Sequence, residues 1–98
     1  VEKMNTEPSQ IIRFRLKNAQ PHSITLHIEP WGEHLTMAPG VIYEVAMSGP
    51  AGDSMELSIK EKDLVVYGWA GSTFSVNHDR MILCDCRIQA PATPSQLK

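Results

Sequence analysis

With 98 residues, 42% of them hydrophobic, the chain has enough for one domain around one core. Nine Lys and Arg stand against eleven Asp and Glu, a formal charge of −2, and the cations are too scattered for a nucleic-acid footprint. No run approaches the roughly 20 apolar residues of a membrane-spanning helix, so neither nucleic acid nor membrane is an expected partner.

The two ends are rich in Pro, Ser, Thr, Gln and charge and carry no apolar period. Flexible tails over 1–10 and 90–98 are therefore expected, flanking a folded domain over 11–89. The polar N-terminus lacks the apolar segment of a cleavable signal, and a cytoplasmic location is the expectation.

Residues 11–17 alternate, with Ile12, Phe14 and Leu16 on one side and Arg13, Arg15 and Lys17 on the other. These three cations form the only basic row. After turn chemistry over 18–22, residues 23–29 alternate again, with Ile24, Leu26 and Ile28 facing one way. This period of two is the signature of half-buried strands.

Next comes the densest stretch of the chain, Glu29-Pro30-Trp31-Gly32-Glu33-His34-Leu35-Thr36-Met37-Ala38-Pro39-Gly40. For Leu35 and Met37 to share a face with Leu26 and Ile28, the first turn must hold an even number of residues. A loop of Trp31-Gly32, or of 30–33, satisfies this and sets Glu29 opposite His34 and His27 opposite Thr36. Pro39-Gly40 suits the centre of a type II turn, where the chain changes sheet and Gly40 takes a positive φ.

Val41, Tyr43, Val45 and Met47 form the next inward row, before a loop signal over 48–53. Met55, Leu57 and Ile59 read as another inward row, followed by a charged turn at Glu61-Lys62-Asp63. Residues 64–69 are more continuously apolar, as in a strand covered on both faces. Gly68 and Gly71 bracket a bend, and 73–78 and 81–89 are the last strands, joined around 77–80. Seven or eight short strands without a helical stripe indicate an antiparallel β-sandwich or small barrel.

The run E-P-W-G-E-H-L-T-M-A-P-G, followed by V-I-Y-E-V and later V-Y-G-W-A-G-S, resembles a set of small uncharacterised bacterial all-β proteins. Their shared text has the form E-P-W-G…P-G followed by an alternating strand, and the resemblance covers roughly 24–76. It implies a bacterial source and an all-β fold, and it brings no activity.

Three constellations carry candidate chemistry. His27, Glu29 and His34 would project from one face of one hairpin, and two imidazoles with a carboxylate make a ligand set for non-haem iron or catalytic zinc. A solvated strand face with one Glu–His pair has the same text, and ligands also need a supporting shell. Trp31, Tyr67 and Trp69, at turns and bends, could line a binding face or close off the core. Cys84 and Cys86 sit two apart on the face of Ile82, where free thiols pack as small hydrophobes. A bridge between same-side neighbours of one strand would be strained.

Met37, Met47 and Met55 lie on inward rows, and no His follows the cysteines, so a blue-copper site is excluded. There is no nucleophile elbow and no phosphate-cradling glycine loop, and no cofactor is implied. The expectation is a non-catalytic all-β binding or assembly module with a protein partner, either another protein or a second copy joined through the last strand. The alternative is a small metal-dependent enzyme or sensor using His27, Glu29 and His34.

Overall fold

The computed structural model describes residues 9–86 and 90–91. Eight strands form: β1 (Ser9–Lys17), β2 (Ile24–Glu29), β3 (Glu33–Met37), β4 (Ile42–Pro50), β5 (Glu56–Lys60), β6 (Asp63–Tyr67), β7 (Thr73–His78) and β8 (Met81–Cys86). They build a β-sandwich of two four-stranded sheets, ordered β1-β4-β7-β8 and β3-β2-β6-β5. All neighbours are antiparallel except β2 and β6. No helix among the described residues is long and apolar enough to cross a membrane.

The inward rows meet between the sheets. Leu26, Ile28, Met37, Val45, Met47, Val66, Phe74 and Val76 are buried there, with Tyr43 and Trp69 closing the ends. Ile12, Phe14 and Leu16 of β1 pack against this core from the side and stay half-buried. Alternation therefore identified the core-facing side of β1 to β4, whereas β6 and β7 received no such assignment.

The sheet change between β3 and β4 occurs at Ala38-Pro39-Gly40, as the type II turn requires. Gly40 has φ 84°, and Val41 N–H donates to Ala38 O at 3.1 Å. Buried Asn18 holds the same end of the sandwich together. Its Nδ2 donates to Met37 O (2.8 Å) and His22 O (2.9 Å), while its Oδ1 accepts from Gln20 N–H.

Several expectations are corrected by the topology. The first hairpin pairs His27 with His34 and Thr25 with Thr36, two residues away from the expected register. The turn is still even, but it consists of residues 29–32. The cause lies outside the hairpin: Glu29 pairs with Tyr67 of β6, and Glu29 O accepts from Gly68 N–H at 2.8 Å. Glu29 thus belongs to the β2–β6 ladder, and β3 starts its pairing at Ile28.

Leu57 and Ile59 do face the core side, opposite Val66 and Leu64, yet they are exposed. Their strand β5 is an edge strand at the rim of the sandwich, where cover is incomplete. Strand β6 is covered on its inner face alone, and Asp63 opens that strand instead of closing the turn. Strand β4 runs on through Gly49 and Pro50, which pair with Gln10 and Ser9.

A bulge between Val76 and Asn77 also breaks the alternation of β8. It pairs Cys84 with Val76 but Ile82 with Asn77, so Ile82 leaves the face of the thiols. Cys84 and Cys86 both pack against the core. At the ends, Ser9 and Gln10 belong to β1, and Ala90 is buried, bonded through its backbone to Gly71 and Ser72. Pro91 is exposed, and residues 1–8 and 92–98 of the expected tails, with the expected end of the last strand at 87–89, lie outside the described residues.

Candidate functional site

The residues nominated from sequence fall mainly on the outer face of the β3-β2-β6-β5 sheet. Since side chains alternate and the ladders fix the register, that face can be laid out in rows. One row runs Thr36, Thr25, Asp63, Lys60, and the next runs His34, His27, Val65, Ser58. The third holds Glu29, Tyr67 and Glu56. An open groove of ≈ 790 Å³ lies along these rows and is lined by His27, Glu29, Lys60, Asp63 and Tyr67, with Pro30 and Pro91 at one end.

Within the groove, His27 Nε2 lies 2.8 Å from Asp63 Oδ1, a pairing in which both side chains are partly exposed. The rings of His27 and His34 stand 6.2 Å apart, tilted by 42°. Glu29 lies one row further along, beside Tyr67 and away from His34. The structure thus brings His27 and His34 together, adds Asp63, and sends Glu29 elsewhere. Among the described residues no group of three or more His, Cys, Asp or Glu side chains is arranged to hold a metal ion. His27 and His34 share a row on this face, and Glu29 stands in the next one, beside Tyr67.

The three aromatics part company. Tyr67 is exposed in the groove. Trp69 is buried, and its indole N–H donates to Pro50 O at 2.8 Å, which makes it a core residue and not part of a binding face. Trp31 is half-buried against the core, its ring 4.6 Å from Phe74 and its edge over Gly68. It covers the core at the first turn.

Asp63 and Lys60 were missed as groove residues because their charges resemble an ordinary turn. Only the parallel pairing of β2 with β6 sets Asp63 beside His27, and no local signal announces that pairing. What the groove offers is non-covalent: carboxylate acceptors, an ammonium donor and one aromatic ring.

A second feature lies at the rims. Of the large apolar side chains left exposed among the described residues, all but Tyr67 belong to edge strands: Ile11 on β1, Leu57 and Ile59 on β5, and Met81, Ile82 and Leu83 on β8. The chain leading into β5 meets β1, where Gln10 Nε2 donates to Asp53 O (2.7 Å), and Ile59 of β5 shares a cleft with Lys17 and Asn18. Strand β8 flanks β3, where the Cys84 thiol meets Glu33.

Comparison of the chain with protein families, with curated proteins and with solved structures finds no match.

Proposed function

We propose that the protein is a non-catalytic binding or assembly module that recognises another protein chain through its sheet edges. The observation behind this reading is the concentration of exposed apolar side chains on edge strands. An edge strand also carries unpaired backbone N–H and C=O groups, so apolar contact and strand pairing are offered at the same place.

On β8 three consecutive apolar residues are open to solvent: Met81 at 67%, Ile82 at 65% and Leu83 at 42%. A second copy joined there about a two-fold axis covers them, and two-fold dimers are the commonest closed assembly. The reading includes a bacterial source, on the resemblance of the E-P-W-G…P-G stretch.

Light scattering at tens of micromolar tests it. The wild type is expected at the mass of a dimer and Leu83→Lys at that of a monomer. A monomeric wild type, or a dimer that Leu83→Lys leaves intact, rejects β8 as the assembly surface.

A further inference from the structure

We propose that the open edge of β1 binds an extended peptide in which acidic and apolar residues alternate, added to the sheet as a further strand. This rests on the reading of the protein as an edge-pairing module, and it names a second edge and the chemistry that edge accepts.

The backbone gives the first argument. Asn18 N–H donates to Val41 O, continuing the β1–β4 ladder, whose register runs without a break from Ser9 to Lys17. Antiparallel bonding alternates by residue, so Leu16, Phe14 and Ile12 also direct their backbone groups at β4. Arg13, Arg15 and Lys17 then direct theirs at the open edge. Among the described residues β1 pairs with β4 alone. The edge spans nine residues with no proline, bulge or inward-pointing charge, so what guards it against pairing is its outward row of cations, which repels like charge and admits acid.

The side chains give the second. By the same alternation Ser9 and Ile11 face this edge too, and the three that follow them, Arg13, Arg15 and Lys17, carry cations on the outer face. Only Arg15 faces an acid across the ladder, Glu44; Arg13 faces Ala46 and Lys17 faces Ile42. An added strand places alternate residues directly opposite this row, and opposite charges there attract while like charges repel. A second copy of β1 would set cation against cation and is rejected. Acidic residues are accepted.

The third argument is the strip beneath. The other face of the added strand points into the mouth between β1 and β5. Ile12, Phe14 and Leu16 are half-buried there, Leu57 is 47% exposed and Ile59 79% exposed. Apolar residues at alternate positions cover that strip, as in other cases of strand addition to a sheet edge.

The test uses the whole chain and a capped heptapeptide of alternating Glu and Val, read by NMR of the backbone amides. Binding is expected to perturb and protect the amides of Arg13, Arg15 and Lys17 and to weaken as salt rises. The same peptide with Lys for Glu, and one with the same composition but blocked order, should bind at least tenfold more weakly. The charge-reversed Arg13→Glu/Arg15→Glu/Lys17→Glu chain, checked for a native spectrum, should prefer the Lys peptide; Arg15→Glu alone serves if it does not fold. Leu83→Lys, at the opposite rim, should leave binding unchanged. No binding at millimolar peptide, equal binding of the Glu and Lys peptides, or protection at β5 or β8 instead of β1 overturns the proposal. A dimer through β8 is scored separately by mass, so either idea can fail without the other.

Discussion

Trp31 and Gly68 occupy one shared volume: a Cβ on Gly68 would lie 2.5 Å from Trp31 Cη2 and 2.9 Å from its Cζ3. The first turn can lay its indole over the core because the residue that follows β6 has no side chain. Gly68 N–H also donates to Glu29 O, so the glycine fixes both the backbone and the ring above it. Truncating Trp31 to Ala is expected to cost about 3–5 kcal/mol, and Gly68→Ala about 1–3 kcal/mol through overpacking. In the Trp31→Ala background the second cost should shrink without vanishing, because Ser72 Oγ lies 2.7 Å from the added methyl. Urea denaturation of the four proteins of this cycle measures the coupling; strict additivity would show that the two residues do not share space.

Gly40 provides a purely backbone test. It has φ 84° and open space where a side chain would sit. Gly40→Val should therefore destabilise by roughly 1–2 kcal/mol from the left-handed conformation alone, and Gly40→Asn by clearly less. Equal melting temperatures for the two variants would contradict this.

Asn18 is buried and uses both ends of its amide. Asn18→Ala leaves Met37 O, His22 O and Gln20 N–H without that partner, with an expected loss of about 1–3 kcal/mol. Asn18→Asp should be worse near neutral pH, because a carboxylate cannot donate to two carbonyls and would be charged in a buried place. Thermal melts of both variants decide the order.

These residues show how far the sequence could be read. Alternation identified the inward side of β1 to β5, and Pro39-Gly40 announced the change of sheet. Strand order has no such local signature. Leu57 and Ile59 alternate like core residues, and only their place on edge strand β5 leaves them open to solvent. Ile82 matches the face of Cys84 until a bulge opposite Asn77 shifts it. The site suffered likewise: His27 and His34 were legible as neighbours on one hairpin. Asp63, which meets His27, arrives through a parallel pairing across 36 positions of chain. Glu29 was drawn away by the same ladder.

Cys84 carries a pH prediction. Burial, reinforced by the Glu33 carboxylate, raises its thiol from 9.0 to about 11. At pH 8 the thiolate is then scarce, and alkylation by iodoacetamide should run about a hundredfold slower than for an unperturbed thiol. Because the folded value lies above the unfolded one, this group's contribution to stability is whole below pH 9 and is lost as pH rises from 9 toward 11. Glu33→Gln should lower the value and speed alkylation of Cys84, followed site by site by mass spectrometry. An unchanged rate would remove Glu33 as a cause.

The central claim is that the edge strands are the binding surfaces of this sandwich. Amide hydrogen exchange measured at low and at high protein concentration tests it most directly. Amides of β8 around Ile82 and Leu83 are expected to gain protection as concentration rises, while those of the interior strands β4 and β2 stay constant. Exchange rates on β8 that are identical at every concentration, or protection gained across the outer face around Tyr67 instead, would contradict it.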